Sequence, residues 1–166
     1  MTEYKPADYL FPELYIKGKV SGRYMNVDLD AKRYVISSKP LHPLALGLEA
    51  YEEGFRLFNL DEGKVRETYA ILLPWRKEAI LVEEGSEFLI VEAHGVQVNF
   101  IAREGDLVNE GGILAYVLTG KGETRTLRSP VRGVVIYILW FRDEPGQRYA
   151  YLIANEDSVV VLKPSG

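Results

Sequence analysis

Short runs in which β-branched and aromatic residues alternate with polar ones recur along the chain, broken by Gly, Pro and acidic turns. A period of two is the mark of strands whose two faces meet different surroundings. Residues 14–20 and 23–29 form the first such pair and predict a hairpin turning at Ser21-Gly22. After Lys39-Pro40 the period changes: Leu44, Leu48, Tyr51 and Phe55 fall at helical spacing, Pro43 suits a first helical turn, and Gly54 suits a terminator. One short helix is predicted there. Residues 55–60 and 65–73 flank Asp61-Glu62-Gly63-Lys64, and residues 79–82 and 88–91 flank Glu83 to Glu87, which predicts two more hairpins with Pro74-Trp75 between them. From Phe88 onward no helical period remains, so this region is read as all β, and residues 163–166 are expected to fray. The fold class expected is mostly β, with a β-rich unit carrying one short helix over residues 1–78 and a second β unit over residues 79–166.

Composition narrows the function. At 166 residues the chain is long enough to bury a real core. No apolar run reaches the roughly 20 residues that a membrane helix needs, and no membrane partner is expected. The start, MTEYKPADYLFPELY, has acidic residues and prolines where a secretory signal requires a basic end and an apolar stretch, so a cytoplasmic location is expected. There is no cysteine, which excludes disulfides, thiolate metal sites, Fe–S clusters and cysteine nucleophiles. A net charge of −4 leaves no basic surplus to displace counterions from phosphates, so a nucleic-acid partner is not expected.

The second unit contains a repeat. Gly95-Val96-Gln97-Val98-Asn99-Phe100-Ile101 and Gly133-Val134-Val135-Ile136-Tyr137-Ile138-Leu139 each begin Gly-Val and continue with apolar residues at matching steps. Each is followed by a charged turn, Arg103-Glu104-Gly105-Asp106 or Arg142-Asp143-Glu144-Pro145, and then by a strand containing Ala-Tyr, at Ala115-Tyr116 or Ala150-Tyr151. Two copies of strand, turn and strand, neither able to bury its apolar face alone, are expected to cover one another as a pseudo-twofold sandwich.

Within the first copy, residues 103–115 read Arg-Glu-Gly-Asp-Leu-Val-Asn-Glu-Gly-Gly-Ile-Leu-Ala. A positive φ at Gly105 makes a sharp turn, Asp106 can bond backbone amides beyond it, Val108 can enter the core, and Gly111 permits a second turn. This order of residues resembles the pattern of biotinyl and lipoyl attachment domains, and Ser129-Pro130-Val131-Arg132-Gly133 resembles the motif that opens the second half of that family. The resemblance implies a barrel-sandwich hybrid over residues 79–166, with Gly95, Gly105, Asp106, Gly111, Pro130 and Gly133 setting its turns. In that family a hairpin tip presents a lysine that carries biotin or lipoate. Counted forward from Gly111, Lys121 of Gly120-Lys121-Gly122 falls at that position; counted back from Pro130 there is one residue too many, which a three-residue turn with Gly122 in the left-handed conformation would absorb. Leu118-Thr119-Gly120 replaces the flanks that the attaching ligases read. The whole chain also resembles an uncharacterised archaeal family of small proteins carrying such a module.

Other chemistry is sparse. His42 and His94 lack a second histidine at ligand spacing, so no metal site is expected. Arg125, Arg128 and Arg132 follow Lys121 and would give its hairpin a positive face for a partner. The first reading is therefore a non-enzymatic docking or assembly module with a degenerate attachment hairpin, no cofactor, and a protein partner not identified by the sequence. The second is a biotin or lipoate carrier modified at Lys121. The third is a hydrolase or transferase using His42 or His94 with carboxylates between the two units. Edge strands in so much β structure also allow a homodimer.

Overall fold

A computed structural model of the chain describes residues 11–142 and 145–165. Residues 1–10, Asp143, Glu144 and Gly166 lie outside the described residues. The chain opens with β1 (Glu13–Lys17), β2 (Tyr24–Asp28), β3 (Arg33–Ser37) and β4 (Leu44–Glu49). A 3₁₀ segment at Tyr51–Leu57 leads into the two-residue strands β5 (Phe58–Asn59) and β6 (Lys64–Val65), then β7 (Tyr69–Leu73) and β8 (Glu78–Val82). Seven strands follow, β9 (Phe88–Gly95), β10 (Gln97–Phe100), β11 (Leu107–Val108), β12 (Ile113–Leu118), β13 (Thr124–Arg128), β14 (Gly133–Trp140) and β15 (Gln147–Ala154), before β16 (Val159–Pro164). Mostly β architecture is what the periodicity predicts.

Seven strands close a barrel in the order β1-β4-β2-β3-β16-β8-β7. Tyr15, Met25, Val27, Leu46, Ala79, Leu81 and Leu162 fill its interior. The opposite faces of β1, β7 and β8 are also buried, because Leu14, Ile16, Ile71, Ile80 and Val82 pack on Val134, Ile136, Leu152 and Ala154 of β14 and β15. Burial on both faces explains why β7 and β8 read as the unbroken apolar runs YAILL and AILV instead of alternating.

Four local expectations are corrected. The β1–β2 hairpin does not form, since β4 lies between the two strands, pairing Gly47 with Ile16 on one side and with Tyr24 on the other. A Cβ on Gly47 would stand 2.1 Å from the Lys19 carbonyl oxygen, so only glycine lets the β1–β2 connection cross over β4 there. The helix predicted from Leu44 shrinks to the 3₁₀ turn and starts at Tyr51. Leu44 and Leu48 satisfy a period of two as well as helical spacing, and ladders on both edges decide for the strand. Of the two hairpins predicted on either side of Pro74-Trp75, the first forms, with Phe58 paired to Val65 and Asn59 to Lys64, but the second does not: Pro74-Trp75 turns β7 into β8, which pair from Tyr69↔Val82 to Leu73↔Glu78, while β9 pairs with β15. Residues 163–165 do not fray, because Lys163 and Pro164 pair in parallel with β3 and the Ser165 amide donates to the Tyr34 carbonyl at 2.9 Å.

The remaining strands form two sheets, β10-β12-β13 and β11-β14-β15-β9. They enclose a core of Ala93, Val98, Leu114, Val117, Val135, Ile138, Tyr151 and Ile153. Each copy pairs with its own Ala-Tyr strand, one residue out of step: Phe100 faces Ala115, whereas its counterpart Ile138 faces Tyr151 and Leu139 faces Ala150, because a bulge between Val135 and Tyr137 shifts the second register. A Cβ on Gly95 would stand 2.5 Å from the Leu118 carbonyl, and one on Gly133 would stand 2.5 Å from the Ala154 carbonyl. The same backbone approach fixes glycine at the head of each copy.

Candidate functional site

The β12–β13 hairpin places Lys121. Its strands pair from Ile113↔Arg128 to Leu118↔Thr124. At the tip the Thr119 amide donates to the Glu123 carbonyl at 2.8 Å and the Gly122 amide donates to the Thr119 carbonyl at 3.0 Å, leaving Gly120-Lys121-Gly122 as a three-residue turn. Gly122 has φ of +82°, the left-handed conformation that absorbs the extra residue. Thr119 Oγ1 accepts from the amides of Lys121 at 3.3 Å and Glu123 at 3.2 Å, so the exposed lysine stands on a hydrogen-bonded base.

The turns at the foot of the hairpin follow the residue logic. Gly105 and Gly111 have φ of +85° and +81°. Val108 is buried. Asp106 works in the opposite direction from the one expected: its carboxylate accepts from the amide of Arg103, which precedes it, at 2.7 Å, and pairs with Arg76. The Gly111 amide donates to the Ser129 carbonyl at 2.7 Å, and the Ser129 amide returns to Gly112 at 2.8 Å. The residue before Pro130 is thereby tied to the glycine turn.

The three arginines do not gather beside Lys121. Arg128 lies opposite Ile113 at the foot of the hairpin, roughly 13 Å of strand from Thr124, and donates to the Gly111 carbonyl at 2.9 Å. Arg132 pairs with Glu156 at 3.1 Å and with Asn109. Arg125 alone stands near the tip, 74 % exposed and 4.0 Å from Glu123. The positive face read from their spacing is dispersed because acceptors in neighbouring turns hold two of the three guanidinium groups.

The histidines are separated in role. The His42 amide donates to the buried Asn26 side chain at 3.3 Å, part of a cluster that fixes the β3–β4 connection. The His94 ring lies 3.2 Å from the Pro145 carbonyl. Among the described residues no group of three or more His, Asp or Glu side chains is arranged to hold a metal ion.

A second site escapes sequence reasoning. A cavity of about 200 Å³ lies where the 3₁₀ segment meets β14 and the turn after β10, lined by Tyr51, Phe55, Phe100, Glu104, Tyr137, Trp140 and Tyr149 with Arg103 and Arg142. Neither histidine lines it. Tyr51 and Tyr137 stack with ring centroids 4.2 Å apart. The Tyr51 hydroxyl donates to Glu104 Oε2 at 2.7 Å and accepts from the Ile138 amide at 3.1 Å, and the Tyr137 hydroxyl donates to the Tyr51 carbonyl. Burial, reinforced by the Glu104 charge, raises the Tyr51 hydroxyl well above its ordinary pKa, so it remains a proton donor. Glu104 is 4 % exposed, and its Oε1 has no hydrogen-bond partner. The Arg103 Nε lies 3.4 Å away as an ion pair, while its guanidinium rests over the Trp75 ring at 4.6 Å. The distance gives Coulomb attraction, but no hydrogen bond is directed at Oε1.

The aromatic crowding of Tyr137, Trp140, Phe141 and Tyr149 was the available signal in the sequence, since a strand pair does not need four large rings to fill its core. Glu104 was masked by its second role as the first residue of the Glu-Gly-Asp turn.

Comparison with curated proteins finds no match. No helix among the described residues is long and apolar enough to cross a membrane. A model of a family described as uncharacterized proteins conserved in archaea matches residues 9–156. That match covers most of the 166 residues, and the chain belongs to this archaeal family (DUF2118).

Proposed function

We propose that the protein is a non-enzymatic docking module in the cytoplasm that engages a protein partner through the β12–β13 hairpin, on a sandwich of the biotinyl/lipoyl-attachment type. The observation that carries this reading is the hairpin itself. β13 is an outer strand of its three-stranded sheet, Thr124, Arg125 and Thr126 are exposed along it, and Lys121 stands at the tip on a braced turn. An exposed outer strand offers backbone donors and acceptors to an added strand, and flanking side chains give selectivity. The equivalent packing of Gly95 and Gly133 supports the duplicated sandwich. The test compares the partners captured by wild-type protein with those captured by Lys121→Ala and Arg125→Ala/Arg128→Ala proteins in a lysate of the native source. Loss of a specific partner is expected, and identical partner sets for all three proteins overturn the reading.

A carrier role for Lys121 is the second reading, favoured by the left-handed Gly122 that keeps the lysine at the tip despite the extra residue. Intact mass of protein from its native source decides it. A biotinyl or lipoyl amide on Lys121 supports the carrier, and an unmodified mass removes it.

A further inference from the structure

We infer that the open edge of β16 is a homodimer interface, on which the same edge of a second copy adds as an antiparallel strand about a two-fold axis. The Lys121 hairpin takes no part in it. β16 closes the barrel at one end only. Lys163 and Pro164 pair with β3, whereas Val159 to Leu162 pair with β8 alone. Between that stretch and the β2–β3 turn runs an open groove of about 600 Å³, lined by Ala31, Lys32, Arg33, Asp157, Val159 and Val161.

The phase of the strand decides what faces the groove. Backbone groups of alternate residues point to the same edge, and the Lys163 amide donates to the Lys32 carbonyl at 3.0 Å. The N–H and C=O of Val161 and the C=O of Val159 therefore point into the groove, while the Val159 amide turns back to the Glu156 carbonyl. Among the described residues nothing accepts from the Val161 amide. The Val160 and Leu162 side chains face the barrel interior, so Val161 stands outward, 45 % exposed. An unpaired apolar edge of this kind is a template for another strand.

Charge selects a second copy as that strand. The groove is acidic at one end, where Glu156 and Asp157 precede Val159, and basic at the other, where Lys32 and Arg33 flank Lys163. A two-fold axis reverses one copy on the other, so each acidic end meets a basic one. In the register that sets Val159 opposite Val161 of the second copy, each Val161 amide reaches the other's Val159 carbonyl. Asp157 then falls opposite Lys163 of the second copy and beside its neighbour Lys32. Glu156 is paired with Arg132 and Lys163 with Glu78, but Lys32 and Asp157 form no ion pair among the described residues. They are the charges left for the contact between copies.

Light scattering and native mass spectrometry of the full chain test this by charge exchange. Wild-type protein is expected to dimerise with Kd of about 1–100 µM, weak because only a short strand edge is buried. Lys32→Asp and Asp157→Lys each set like charges face to face at both ends of the dimer and are expected to weaken it about tenfold or more. Lys32 has φ of +54°, a conformation that aspartate tolerates. Mixed together, the two variants restore opposite charges at both ends, so a 1:1 heterodimer of near wild-type affinity is expected. Val161→Lys, on the exposed face, is expected to give a folded monomer and carries the test if either charge variant unfolds. Wild-type protein that stays monomeric at about 500 µM, charge variants that dimerise like wild type, a mixture of folded variants that stays monomeric, or a dimer of Val161→Lys each overturn the proposal.

Discussion

The Tyr51 hydroxyl joins Glu104 of the turn after β10 to the Ile138 amide of β14, and its ring lies flat on Tyr137. Phenylalanine at this position would keep the stacking and remove both hydrogen bonds, leaving a buried carboxylate oxygen and a buried amide unpaired. Tyr51→Phe is expected to cost about 2–4 kcal/mol in urea unfolding, against almost nothing for Tyr116→Phe on the half-exposed face of β12. Tyrosine burial also sets the response to alkali. Tyr15, Tyr51, Tyr69, Tyr137 and Tyr151 all have hydroxyls raised above the ordinary value near 10, in each case chiefly by burial. Below pH 10 these groups are protonated in both folded and unfolded chains and contribute no pH dependence. Above pH 10 the unfolded chain releases their protons first, so the stability is lost as pH rises toward the folded values. Urea midpoints measured from pH 8 to about 12 should be flat to about pH 10 and fall beyond it; a midpoint that holds steady above pH 11 would contradict the burial of these hydroxyls.

The two glycines that head the repeat both meet a carbonyl oxygen at close range. Gly95→Ala drives a methyl group against the Leu118 carbonyl of β12, and Gly133→Ala drives one against the Ala154 carbonyl of its partner strand β15; each is expected to cost about 1–3 kcal/mol. Thermal melts of the two variants should shift by similar amounts. This constraint is why the second unit was legible in the sequence: glycine, turn and Ala-Tyr strand recur because the same geometry recurs. The first unit was less legible for a physical reason. Leu44 and Leu48 fit two periods at once, and only ladders to β1 and β2, remote in sequence, choose between them. Gly47 was unmarked among them, although its missing side chain lets the connection cross. The cavity was illegible for a related reason, since Tyr51 and Glu104 are 53 residues apart and a spacing motif does not join them.

At the scale of the molecule, one apolar cluster joins barrel to sandwich. Leu14, Ile71 and Ile80 belong to barrel strands, Val134, Ile136 and Leu152 to sandwich strands, and all six pack in the same core. A cooperative unit of this kind should unfold in a single transition whether followed by tyrosine absorbance or by circular dichroism. Ending the chain at Ser158 removes β16 and the fully buried Leu162, uncovering edges of both β8 and β3. The shortened protein is expected to lose the cooperative transition, and a two-state melt with unchanged midpoint would contradict the shared core. The position of β16 also has a consequence during synthesis. The ribosome delivers β3 and β8 and then all seven sandwich strands before the strand that covers them, so the nascent barrel carries two bare edges while more than seventy residues are made. Closure is a late, long-range event in the life of each molecule, and the interval before it is when stray strands in a crowded cell have access to those edges.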